Sequence, residues 1–426
     1  MASPKTALVL GAGAARGAYE AGVVAWLREE FEPGLGRRLP LDIVAGTSVG
    51  AIHACFLAAT MERPEVQGRV LIAQWESMRV ESVLRASFGD IWRVLRESLG
   101  KPSRGNRNDV RVGGLVDPAG LRALVGGQIP WTQIGRNLRN GRLDALAVSA
   151  THVGSGRTRV FVQRRGGGLP SWSVDPQLEG VATRIGPNHA LASAAIPVIF
   201  PPVRLRGELH ADGALRMSVP LSPALRLGAQ RVAVISPSPR RDAIDATRGE
   251  HEAVYGSAAY LAGKILGALL MDRTDQDLAR LEQLNGLLEA GAREYGPDFL
   301  TRIHRALGDG RSSPLHYVRT LLLRPSADLG ALAAEYVQSG EFRRADGLAH
   351  LAIHKLVERE APGQADLASF MLFDRGFASR LIELGRKDAA LRAADWTRFF
   401  SDAPQCAAEE ATLEHQRGRL GELQAV

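Results

Sequence analysis

The chain has 426 residues, 45% hydrophobic and 23% charged, which suits a soluble globular protein with a full core and excludes a disordered or collagen-like chain. Its two cysteines, Cys55 and Cys406, exclude a disulfide framework or a cysteine metal cluster and fit a reducing compartment. The 53 Lys and Arg against 46 Asp and Glu leave a surplus of +7 that is local. Residues 101–165 hold 12 basic and 3 acidic residues, a patch suited to nucleic acid, an anionic membrane or an acidic partner.

The first residues lead into a strand-like segment without the charged and long apolar regions of a signal peptide, and no stretch reads as a transmembrane span. Ala7–Leu10 is a short apolar run ending in glycine, as in a buried strand. Ala18–Glu30 has helical spacing, with Tyr19, Val23, Trp26 and Leu27 on one face. Leu41–Ala45 is a second strand and Val49–Thr60 a second helix. This alternation predicts a mostly parallel sheet covered on both faces, a three-layer α/β/α fold. The rhythm breaks over about 76–140, which reads as a cap or lid-like insertion. There Phe88, Ile91, Trp92, Leu95 and Leu99 form a helical stripe, read as a cap helix packed on the core rather than a membrane-docking helix.

Asp117 and Pro118 start another helix. Strands return at Ala145–Val148, Arg159–Val162 and Arg231–Ile235. Beyond residue 240 the chain reads as mainly helical, including Val254–Met271 and a stripe of Leu278, Leu281, Leu284, Leu287 and Leu288. One more strand is expected at Arg319–Leu323, and Gly385 is read as ending the helix that carries Phe377, Leu381 and Leu384. A soft boundary near 240 divides a catalytic domain, 1–240, from a helical region, 241–426.

Gly46-Thr47-Ser48-Val49-Gly50 lies between a strand and a helix, the context of a nucleophile elbow. The turn aims the serine hydroxyl at a helix N-terminus, where amides favour developing negative charge. Gly11-Ala12-Gly13-Ala14-Ala15-Arg16-Gly17 is a second glycine-rich turn with three readings. A dinucleotide fingerprint lacks the acidic residue at the end of the second strand, and a P-loop lacks Gly-Lys-Ser/Thr. An oxyanion loop, its amides facing the carbonyl that Ser48 attacks, accounts for the pairing with Ser48.

With Ala192-Ser193-Ala194-Ala195-Ile196-Pro197 and Asp212-Gly213-Ala214 added, four blocks stand in an order that resembles the patatin-like phospholipases, over about residues 6–236. The resemblance implies a three-layer α/β/α fold with a mostly parallel central sheet and a helical C-terminal region. It also implies a serine–aspartate dyad: Ser48 attacks an acyl ester, Asp212 takes its proton, and amides around Gly11–Ala14 hold the oxyanion. An ordinary Asp, pKa about 3.9, is a poor base at neutral pH, so burial must raise it. Two departures stand out. Ala12 and Ala14 interrupt the family's consecutive glycines, which is acceptable wherever φ stays negative, and Ser218 replaces an Asn. Arg16 is read as bracing the loop.

The function expected is a phospholipase A-type lipid acyl hydrolase. The alternatives are a carboxylesterase or thioesterase on soluble esters, and a non-catalytic lipid-binding protein on the same scaffold. A Ser-Asp-His triad would need a histidine after the acid, and none there stands in a distinctive setting; His53 reads as a packing residue and His210, two before Asp212, as a satisfied or exposed one. No EF-hand or H-E-x-x-H spacing occurs, so neither metal nor cofactor is expected. The expected partners are lipid and a peripheral anionic membrane met by the basic patch, not nucleic acid, in a cytoplasmic setting.

Overall fold

The computed structural model describes residues 4–83, 116–239 except 170, 171, 173, 174 and 198, 274–307 except 297, 315–344, 353–355, 357 and 365–413. The Phe88–Leu99 stripe, the Val254–Met271 helix and the basic residues of 101–115 lie outside the described residues.

In chain order the main elements begin with β1 (Thr6–Leu10), α1 (Ala18–Trp26), β2 (Ile43–Thr47), α2 (Val49–Ala59) and α3 (Gln67–Ser77). Next come α4 (Ala119–Gln128), α5 (Trp131–Arg139), β3 (Ala145–His152), β4 (Thr158–Arg164), β5 (Leu178–Ala182) and α6 (Pro187–Ser193). They are followed by β6 (Val203–Leu205), β7 (Glu208–Asp212), α7 (Leu221–Arg226), β8 (Arg231–Ile235), α8 (Thr274–Tyr295) and α9 (Phe299–Leu307). The last are β9 (Arg319–Leu323), α10 (Leu329–Gln338), α11 (Asp366–Met371), α12 (Arg375–Leu391) and α13 (Ala393–Phe399).

One nine-stranded sheet runs β5-β4-β3-β2-β1-β8-β9, with β7 added on β3 and β6 on β7. The pairs from β3 through β9 are parallel, while β4 and β7 run antiparallel to β3. The apolar strand runs divide by alternation. Leu8, Leu10, Val44, Ala233 and Ile235 face one core with Tyr19, Ala54 and Leu381. Ala7, Val9, Ile43, Val232 and Val234 face the other with Leu221, Ala224 and Leu278. A sheet buried on both faces needs apolar residues at every strand position, and β1, β2 and β8 are buried throughout. The fold is the expected three-layer α/β/α arrangement. Among the described residues no helix is long and apolar enough to cross a membrane.

Described residues on both sides of position 240 share this core. β9 extends the sheet beside β8, and α12 lies against α1. Gly385 is a correction to the sequence reading: α12 continues through it to Leu391. It marks a helix crossing. A Cβ on Gly385 would collide with the Tyr19 carbonyl, and one on Gly22 with the Ile382 carbonyl, so each helix contributes a glycine where the backbones meet. Because backbone cannot yield as a side chain does, Gly385→Ala is expected to destabilise the protein by about 3 kcal/mol, and Gly22→Ala similarly. Urea unfolding checks this; unchanged midpoints would place the crossing elsewhere.

Candidate active site

One edge of β3 belongs wholly to β4. The other edge changes partner part-way. Parallel β2 ends with Thr47 opposite Ser149, and the next β3 residue, Ala150, is paired by Asp212 at the end of antiparallel β7. Ser48, which would have faced Ala150, turns away with φ 57° and ψ −126° and opens α2. The two residues therefore arrive at one sheet position from opposite directions. The Ser48 hydroxyl donates to Asp212 Oδ2 at 2.7 Å.

The turn is possible because its neighbours have no side chains. A Cβ on Gly46 would strike the Gly50 carbonyl, and one on Gly50 the carbonyls of Leu10 and Gly11. A Cβ on Gly213 would strike the Ser149 carbonyl. A positive φ at a non-glycine residue costs about 1–3 kcal/mol and persists where its surroundings fix it. Part of that support is Ser193 on α6. Its Oγ accepts the Ser48 amide at 2.8 Å and donates to the Ser149 carbonyl at 2.6 Å, joining the elbow to β3.

Ser48 and Asp212 are both buried. Burial raises the Asp212 carboxyl from 3.8 to about 7, against the opposing hydrogen bonds from Ser48 and the Ala214 amide. The Ala214 N–H donates to Oδ1 at 2.8 Å, Thr151 Oγ1 donates to the Asp212 carbonyl, and the Asp212 amide donates to Ala195. Both carboxylate oxygens are thus placed, and the acid is tuned to the range of a base working near neutral pH.

The glycine-rich turn lies beside α2: a Cβ on Gly17 would overlap Val49, the residue after Ser48. The Gly11 amide donates to Ile235 and the Ala12 amide to Ser218, so these two hold the loop in place. Among the described residues, the amides of Gly13 and Ala14 meet no acceptor. Ala14 has φ 47°, so the negative φ under which alanine is acceptable there is not met. Arg16 is buried. Its Nε donates to Ser369 at 2.8 Å, it pairs with Asp366 at 3.3 Å, and it lies 3.8 Å over the Phe370 ring. The loop is therefore fastened to α11.

A family model described as patatin-like phospholipase matches residues 8–225, just over half of the chain. The chain belongs to the patatin-like phospholipase family. A cGAMP-activated phospholipase of Pseudomonas aeruginosa is 30% identical over 217 residues, 50% of this chain and 53% of that protein. The match thus spans about half the length of that curated relative. Among solved structures, human GIVD cytosolic phospholipase A2 with a fluorophosphonate inhibitor is 14% identical, over 93% of this chain and 59% of that one, with a TM-score of 0.42. VipD from Legionella pneumophila is 12% identical, over 90% and 67%, with a TM-score of 0.28.

Among the described residues of this patatin-like chain, no histidine is hydrogen-bonded to Ser48 or Asp212. His210 is buried, with its Nδ1 3.1 Å from the Glu208 carbonyl, and burial lowers its pKa to about 4. His53 lies in a buried chain. Trp75 Nε1 donates to its Nε2 at 3.0 Å, which leaves Nδ1 to donate to Glu20 at 2.7 Å. Sequence patterns did not reveal this link between α1, α2 and α3, because its members are 22 to 55 residues apart. A greater separation, 145 residues, hid Ser193's bond to the elbow, although Ser193 stands inside the third sequence block.

The raised Asp212 acid has a consequence for stability. Below about pH 4 the carboxyl is protonated folded and unfolded and carries no penalty. As pH rises towards and through about 7, the folded state must bury a charge, at a cost on the order of 4 kcal/mol. Asp212→Asn should therefore raise Tm at pH 8 and leave it nearly unchanged at pH 4. Thermal unfolding at the two pH values checks this; equal effects at both would contradict it. Because both lose the hydroxyl bond to Asp212 and only alanine keeps the strained φ, Ser48→Gly should be about 1 kcal/mol more stable than Ser48→Ala, read by the same melts.

Proposed function

We propose that this protein is a serine acyl hydrolase that cleaves fatty-acyl esters of phospholipids. The observation that carries the reading is the buried 2.7 Å hydrogen bond from the Ser48 hydroxyl to an Asp212 carboxylate tuned to about 7. Ser48 Oγ attacks the ester carbonyl carbon while its proton passes to Asp212 Oδ2. The oxyanion is received by the unengaged amides of Gly13 and Ala14, with the Val49 amide at the start of α2 as a third donor. The C–O bond then breaks, and Asp212 returns the proton to the departing lysolipid oxygen. Water attacks the acyl-enzyme, gives its proton to Asp212 and releases the fatty acid. Ser48 regains its proton. Gly46, Gly50, Gly213 and Ala214 keep the two side chains in reach, and Gly11, Ala12, Arg16 and Gly17 hold the oxyanion loop.

Membership of the patatin-like phospholipase family supports lipid over a soluble ester as substrate. Release of fatty acid from phosphatidylcholine vesicles is expected from the wild type and should fall at least about 10³-fold in Ser48→Ala. Turnover of short-chain esters alone would favour a soluble-ester hydrolase, and lipid binding without release would favour a binding protein. As the free acid at position 212 must lose its proton to act as base, kcat/KM should rise with pH through an inflection near 7 and then level off. A flat profile from pH 5 to 9 would remove Asp212 from the base role.

A further inference from the structure

α5 and the outer strands β4 and β5 form the walls of a groove of about 500 Å³, the size of a small-molecule site. Arg136 and Arg139 line it from α5, one turn apart, and Arg164 and Arg184 from the strand side. Val162 pairs in register with Ala182, and the Thr183 amide donates to the Val162 carbonyl, continuing the ladder. Arg164 and Arg184, each two residues further on, therefore emerge side by side on one face. Like charges so placed repel, and no carboxylate lines the groove.

Three neighbouring arginines are paired with carboxylates. Arg142 pairs with Glu62, Arg159 with Glu179 and Glu208, and Arg165 with Asp144. The four groove arginines have no acidic partner among the described residues. Arg136 donates to Gln133 and Arg164 to the Gly168 carbonyl, while Arg139 and Arg184 have no polar partner there. Gln163 accepts the Ile185 amide through Oε1, which leaves its amide group as a further donor towards the groove. Four arginines around one groove, two from α5 and two from the strand side, with no carboxylate among the lining residues, suit a compact anion carrying more than one negative charge.

We propose that this groove is a binding site for a phosphate-bearing anion, supplied either as a soluble phosphate compound or as a phosphorylated lipid headgroup. The site is separate from Ser48 and Asp212 and does not depend on the acyl-hydrolase reading. The two sources are told apart by calorimetric titration of the full chain with pyrophosphate, and by cosedimentation with phosphatidylcholine vesicles with and without phosphatidic acid. Each is run on wild type, on Arg139→Glu/Arg184→Glu, and on Arg302→Glu/Arg305→Glu, which changes net charge equally on α9.

Binding in at least one arm should weaken about tenfold or more in the groove variant and change less than about twofold in the α9 variant. Groove-dependent pyrophosphate binding assigns a soluble ligand; groove dependence confined to phosphatidic acid vesicles assigns a lipid headgroup. Circular dichroism confirms that both variants are folded. If neither arm depends on the groove, or the α9 variant weakens binding as much, the proposal is overturned.

Discussion

The structure depends on a single position along β3. β2 occupies one edge of that strand up to Ser149, and β7 occupies the same edge from Ala150 onward. A parallel and an antiparallel neighbour cannot both hold Ala150, so one chain must leave. β2 leaves, at Ser48, by a backbone turn that a non-glycine residue rarely adopts, and β7 ends there with Asp212. The meeting of hydroxyl and carboxylate follows from this hand-over, and so does their burial. That burial in turn raises the acid to a useful range. Backbone register thus sets a chemical property.

The rest of the molecule secures that meeting from behind. Ser193 ties the elbow amide to β3. The Glu20–His53–Trp75 chain joins the helix after the glycine-rich loop to the helix after Ser48 and to α3. Arg16 fastens the loop itself to α11, and glycines at two points let α12 lie directly on α1. The last two supports come from beyond the segment that the family model matches. Residues 366–391, within the stretch read from sequence as a mainly helical C-terminal region, therefore belong to the framework of the candidate site.

Much of this was legible from sequence because it is local. A strand ending in glycine, a G-x-S-x-G turn and a following helix are short-range patterns that point to Ser48, whereas Asp212, at an Asp-Gly turn, stood out only through the four-block family resemblance. Strand–helix alternation was enough for the layered architecture. Local signals failed where a residue's partner is distant. Gly385 has the appearance of a helix stop, but its small size serves a crossing with Tyr19, more than 360 residues away. Alanine at position 14 was read as acceptable wherever φ stays negative; the loop, fixed by Gly11, Ala12 and Arg16, holds it at 47°. The local charge surplus gave no indication that Arg164 and Arg184 would stand together, since that depends on the β4–β5 register.

The central claim is that Asp212 activates Ser48 without a histidine. Its most direct measurement is the rate at which a fluorophosphonate labels the protein as pH is varied, with the modified residue located by mass spectrometry, in wild type and Asp212→Asn. The expected result is a label on Ser48, a rate that rises through about pH 7 with the Asp212 carboxylate, and near loss of labelling in the variant. A label on another residue, or an unchanged rate in Asp212→Asn, would contradict it.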